Sequence, residues 1–173
     1  MPLGSAEALA LTGMMGSGKS TAARALGLLL RRKVASTDAL VEARAGKPVA
    51  RIFAEDGEPA FRALEREAVG ALAGPIVVDL GGGAFCDPEG AARLLAVARV
   101  VFLDVSAVEA ARRLGAARPS SEAMEARPLA PRWEALLARR LPLYLRAHHR
   151  VEVDALAPEA VARRVLGLVG GAA

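Results

Sequence analysis

Aromatic side chains make up only 3% of this chain, and it contains a single cysteine. The first scarcity leaves the core to Ala, Val and Leu, and it removes the stacking surface on which single-stranded nucleic acid is bound. The second excludes a disulfide framework within the chain and suits a reducing compartment. Cys86 has no metal-ligand pattern around it, and His148 and His149 lie far along the chain, so it reads as a small packing residue. No apolar run is long enough to span a bilayer, since Arg163 and Arg164 break the C-terminal stretch, and no basic, cleavable signal is seen at the N-terminus. The expectation is a cytoplasmic chain with neither a membrane nor nucleic acid as partner.

What is present is apolar content, arginine and a strict local pattern. Hydrophobic residues make up 53% of 173, enough for one domain with its own core. Basic residues exceed acidic ones by four and are nearly all Arg. Arg and Ala richness together fit a coding bias, yet guanidinium forks also suit a small carboxylate or phosphate ligand. Apolar runs predict strands at Ala8–Thr12, Lys33–Ser36, Ile76–Leu80, Arg99–Val105 and Val151–Val153. Helical segments are predicted from Lys19 to about Arg31, from Pro48 to a break near Gly57, and from Glu58-Pro59 to Gly74-Pro75. Another opens at the capping box Ser106–Glu109, one follows residues 115–131 and runs to about Arg146, and the last opens at Pro158. Residues 115–131 hold three prolines, two serines and a glycine without period, and are expected to form a lid. This alternation predicts one α/β domain, a five-stranded parallel sheet with helices on both faces. Ligands in such folds bind beyond the carboxyl ends of the strands.

Gly13–Ser20, GMMGSGKS, follows an apolar strand and opens a helix. Its spacing is that of a phosphate cradle, in which bare N–H groups curl round phosphate oxygens at a helix N-terminus. Gly13, Gly16, Ser17, Gly18, Lys19, Ser20 and Thr21 are expected to hold ATP, with Lys19 on the β- and γ-phosphates and Ser20 on Mg²⁺. A guanine-reading N-K-x-D is absent, which excludes a switch GTPase, and a short chain with a lid points to a small-molecule kinase. A second glycine-rich stretch, VVDLGGGAF (77–85), removes three consecutive side chains just past a strand end, so something must approach that backbone closely. A sharp turn of positive φ is the simpler explanation, but one glycine would suffice for it.

From the cradle onward the sequence resembles the shikimate kinases, in the nucleoside-monophosphate-kinase-like P-loop group. The resemblance rests on STDALVEARAGKPVARIFAEDGEPAFRALERE (36–67) with its Thr-Asp pair and IF…GE..FR..E pattern, on LGGGAF, and on RRLPLY (Arg139–Tyr144). It implies a three-layer P-loop kinase fold and transfer of phosphate from ATP to shikimate by a monomer, with a substrate segment at about 36–67. It implies that Arg62 and Arg140 clamp the carboxylate, as bidentate guanidinium groups do. Asp38 would orient the attacking hydroxyl or accept its proton, or else cap a helix. Phe53 would line the pocket or pack in the core, Glu65 would hold Arg62, and Gly82 and Gly83 would donate N–H groups to the substrate. Arg113 and Pro158 match adenine-contacting positions. A kinase for another polyol acid, such as gluconate, or a non-catalytic nucleotide-binding module remain as alternatives.

Two departures from the family pattern stand out. The lid arginine that precedes Pro-Leu is either Arg118, followed by Pro119 and Ser120, or Arg127, followed by Pro128 and Leu129. The family's Asp-Thr-Asp begins here with Ser36, so a carboxylate that helps hold Mg²⁺ is missing. Asp79, two residues before the glycines, is expected to take over that role beside Ser20.

Overall fold

The computed structural model describes residues 3–116 and 129–170. Its strands are β1 (Ala8–Thr12), β2 (Val34–Ser36), β3 (Val77–Asp79), β4 (Ala98–Asp104) and β5 (His149–Glu152). They form one parallel sheet in the order β2-β3-β1-β4-β5. Every residue of β1 is buried. A central parallel strand is covered on both faces, which is why its sequence ALALT shows no polar alternation.

The helices are α1 (Lys19–Leu30), α2 (Thr37–Ala45), α3 (Val49–Glu55), α4 (Gly57–Gly70), α5 (Pro88–Val97), α6 (Ala107–Ala116), α7 (Leu129–Tyr144) and α8 (Pro158–Val169). From β1 the chain moves toward β2 at one edge, then returns from β3 past β1 to β4 and on to β5. Right-handed crossovers put the helices of these two movements on opposite faces. Accordingly α1 packs on α8, α6 packs on α7, and α5 lies against β4 and α4. The chain parts in two directions beside the end of β1, so the segment after β1 sits where ligands bind in such sheets.

Most buried apolar residues join one core around the sheet. A separate small cluster of Val41, Ile52, Phe61 and Ala68 holds α2, α3 and α4 together. The expected substrate segment therefore has its own packing.

Several boundaries differ from those predicted. Helix α5 was not expected, and α2 only as the helix that Asp38 would cap. Helix α4 ends at Gly70 rather than Gly74, β5 starts at His149 rather than Val151, and α7 ends at Tyr144. Helices α6 and α7 take up both ends of the segment 115–131, running to Ala116 and beginning at Leu129. Arg118 and Arg127 lie outside the described residues. Asp38 does not cap α2: Ser36 is the N-cap, its Oγ accepting from Ala39 N at 3.4 Å, and Asp38 sits in the first turn.

Candidate active site

The cradle between β1 and α1 is shaped by its glycines. Gly13 has φ 146°, and a Cβ there would run into the carbonyl oxygen of Leu103 on β4. Gly16 has φ 84°, and a Cβ would lie 2.9 Å from Ala110 Cα on α6. Lys19 is half-buried, and its Nζ donates to Gly13 O at 2.9 Å and Met14 O at 3.1 Å. Burial lowers the Lys19 pKa, opposed by the charges of Asp79 and Asp38. Among the described residues the buried hydroxyl of Ser17 has no hydrogen-bond partner.

Two cavities open from this loop. One, of about 770 Å³, is lined by the cradle residues Met15–Thr21, by Arg112, Arg113 and Leu114 on α6, and by Ala155–Pro158 and Val161. The other, of about 340 Å³, is lined by Asp38, Phe53, Arg62, Glu65, Asp79, the three glycines and Arg140, with Ser36 among the rest. Met15, Lys19 and Ser20 line both. Each volume is within the range of small-ligand sites. The sheet and the α2–α4 cluster thus bring the candidate residues of each ligand to separate chambers with Lys19 at the join.

The triple glycine has a direct geometric reason. A Cβ on Gly81 would collide with Asp38 Oδ1, and one on Gly83 with Arg62 Nη1. A Cβ on Gly82 would lie 3.1 Å from Arg140 Nη1. Each glycine faces a different charged side chain, and none of the three has a positive φ. The turn explanation therefore fails, and the glycines make room for the three groups that surround the chamber. Gly81 N donates to Thr37 Oγ1 at 2.7 Å, and Gly82 O accepts from the Tyr144 hydroxyl at 2.7 Å. Tyr144 and Arg140 lie one turn apart on α7, so one helix face supplies both.

The charges in this chamber constrain one another. Burial raises the Asp38 carboxyl above its ordinary pKa, and the negative Asp79 adds to the shift, while Lys19 opposes it. Arg62 Nη1 donates to Glu65 Oε2 at 2.6 Å, and Arg62 Nε and Nη2 donate to Glu58 Oε1 at 3.3 and 3.1 Å. The expected Arg62–Glu65 pair is present, with Glu65 only 3% exposed and Arg62 half-buried. Glu65 Oε1 has no partner among the described residues, and burial raises the Glu65 pKa against the pull of Arg62. No ion pair among the described residues engages Arg140. Phe53 is 40% exposed, lines the chamber and lies tilted against Phe61 with centroids 4.5 Å apart, so it is a wall of the chamber rather than core. Cys86 is half-buried with its Sγ 3.8 Å from Gly82 O, which agrees with a packing role.

Arg113 and Pro158 both line the larger cavity. Sequence reasoning missed Thr37, Trp133 and Tyr144. Trp133 Nε1 donates to Met15 O at 3.2 Å, tying α7 to the cradle. Tyr144 belongs to the quoted RRLPLY, but nothing local shows that its hydroxyl reaches Gly82. Among the described residues no group of three His, Cys, Asp or Glu side chains could hold a metal ion, and no helix is long and apolar enough to cross a membrane.

A family model described as shikimate kinase matches residues 15–169. A shikimate kinase of Thermobifida fusca is 51% identical over 138 residues, 78% of this chain and 77% of that protein. A solved shikimate kinase from Bacteroides thetaiotaomicron superposes with a TM-score of 0.90 at 28% identity, covering 95% of this chain and 99% of the other. One from Acinetobacter baumannii, solved in complex with shikimate, gives 0.84 at 29% identity, covering 94% and 92%.

Proposed function

The chain belongs to the shikimate kinase family, and from that premise we propose how its residues divide the transfer of phosphate from ATP to the 3-hydroxyl of shikimate. The enzyme is a phosphotransferase with an alcohol acceptor, and this reading displaces both a gluconate kinase and a non-catalytic module. Met15, Lys19 and Ser20 line both cavities, and that shared wall carries the proposal. ATP occupies the larger cavity with its base toward Arg113 and Pro158 and its phosphates over the N–H groups of Gly13–Thr21. Shikimate occupies the smaller one, its carboxylate between Arg62 and Arg140 and its ring against Phe53. Gly82 and Gly83 offer N–H groups to its oxygens.

Lys19 exchanges the carbonyls of Gly13 and Met14 for β- and γ-phosphate oxygens and neutralises charge as the phosphoryl group moves. Asp38 orients the 3-hydroxyl and takes its proton, a task suited by a carboxyl pKa raised toward the working range. The hydroxyl oxygen bonds to the γ-phosphorus as the bridging oxygen departs with ADP. Positioning and charge stabilisation dominate such a transfer. The Ser20 hydroxyl and the Asp79 carboxylate border the same space, an all-oxygen donor set that fits Mg²⁺, which takes one or two carboxylates and keeps several waters. Mg²⁺ bound there would screen the phosphate charge. Both chambers are built by one chain, which supports a monomer working as one domain. Coupled measurement of ADP release with ATP and Mg²⁺ tests the reading. Turnover with shikimate and none with gluconate is expected, and the reverse order would overturn it.

A further inference from the structure

Arg113 commits its whole guanidinium to neighbouring groups. Nη1 donates to Gly16 O at 3.3 Å and Ser17 O at 3.2 Å, in the phosphate cradle. Nη2 donates to Val153 O at 2.6 Å and, weakly, to Leu156 O at 3.5 Å, in the turn before α8. Nε donates to Glu109 Oε1 at 2.7 Å. The cradle and that turn are two walls of the larger cavity. One side chain therefore ties the two walls together, and a carboxylate one helical turn away aims it.

Glu109 is free to do this because another residue has its usual task. In a capping box the third-position carboxylate reaches back to the N–H of the capping residue. Half of the box forms: Ser106 Oγ accepts from Glu109 N at 3.2 Å. The Ser106 N–H donates instead to Asp154 Oδ1 at 2.9 Å, across from the turn before α8. The Glu109 carboxylate turns to Arg112, with Nε and Nη2 both at 2.7 Å, and to Arg113. The turn that Asp154 and Arg113 hold contains Ala155 at φ 56°, a left-handed conformation that alanine seldom adopts. On the other wall a Cβ on Gly18 would sit 3.5 Å from Arg113 Nη1, so the cradle closes directly on this guanidinium.

We propose that Glu109 is a positioning residue for nucleotide binding. It acts through Arg113, which spaces the phosphate cradle from the turn before α8 and so sets the width of the nucleotide cavity. It rests on the reading of that cavity as the ATP site. With its N–H groups committed in the plane, Arg113 presents a purine with a flat face for stacking rather than with donors. Nucleotide affinity then depends on Glu109, and shikimate affinity does not.

The test is calorimetric titration of ADP into the wild type, Glu109→Ala and Glu109→Gln, with KM for ATP and for shikimate measured on the same preparations. Glu109→Ala is expected to lose about tenfold in ADP affinity, the scale of one charge-assisted hydrogen bond. Its KM for ATP should rise alike, while its KM for shikimate stays within about twofold, and Glu109→Gln, which keeps one neutral acceptor, should recover part of the loss. ADP affinity unchanged in Glu109→Ala overturns the proposal, as does a parallel rise of both KM values. Should Glu109→Ala not fold, the isosteric Glu109→Gln decides on the same criteria. A wild type that binds no ADP refutes the ATP reading of the cavity, and the proposal with it, whereas ADP binding that Glu109 does not affect refutes the proposal alone.

Discussion

Ser36 and Asp79 are register partners on neighbouring parallel strands, at the ends of β2 and β3, and both border the acceptor chamber. Asp79 thus stands one strand over from Ser36, in a lining that also holds Lys19 and Ser20. Asp79→Asn is expected to raise the Mg²⁺ concentration needed for half-maximal rate. Adding Ser36→Asp should restore part of that dependence, because a water-bridged carboxylate serves from either strand. Initial rates over a Mg²⁺ series read the effect, and an unchanged series would rule out the metal role.

The close approach of Gly83 to Arg62 gives a second test. Arg62 is held by Glu65 and Glu58 and has little room to retreat from an added methyl group. Gly83→Ala should weaken shikimate binding by about 1–2 kcal/mol, the ordinary scale of overpacking, and leave the KM for ATP near its wild-type value. Steady-state kinetics with each substrate varied in turn would show it. An equal rise in both KM values would mean that the loop itself had been distorted.

Arg62→Lys and Arg140→Lys keep the charge and lose the fork. Each should cost about 1.5–3 kcal/mol in shikimate affinity, the scale of hydrogen bonds to charged groups. Calorimetric titration of shikimate checks both, and unchanged affinity in both variants would count against a carboxylate clamp.

Asp38 predicts a conflict between activity and stability. Its folded-state pKa is raised, so the folded protein holds this proton more tightly than the unfolded chain. The sign of the linkage makes stability fall as pH rises from the ordinary value of 3.8 through the raised one. The penalty is fully present above that window and absent below it. Asp38→Asn should therefore melt higher than the wild type at neutral pH, gain nothing in strong acid, and be nearly inactive. Thermal melts of both proteins across pH measure this, and a lower melting temperature for Asp38→Asn at neutral pH would contradict it.

The parts legible in the sequence were those whose chemistry is local. The cradle needs only eight consecutive residues, and β1 needs only an apolar run next to it. Arg62 and Arg140 could be named from flanking motifs, yet not paired with Gly83 and Gly82, because those contacts are made by folding. Trp133 reaches Met15 across 118 positions and Tyr144 reaches Gly82 across 62, distances over which no periodicity carries information. Helix α5 had a readable start, since Asp87 caps it by accepting from Gly90 N at 2.8 Å and Pro88 follows. Its glycine and its position just after the triple glycine disguised it as loop. The Ser106–Glu109 box correctly marked the start of α6, but the diversion of Glu109 to Arg113 depends on Asp154, which lies 48 positions from Ser106.

The most direct test of the account is to incubate the protein with ATP, Mg²⁺ and shikimate and to identify the product by phosphorus and proton NMR, with Lys19→Ala in parallel. A phosphate monoester on the 3-hydroxyl is expected, with one ADP released for each ester formed and a folded Lys19→Ala slower by several orders of magnitude through loss of a main transition-state charge. ADP release without phosphorylated shikimate, or near-normal turnover by Lys19→Ala, would contradict it.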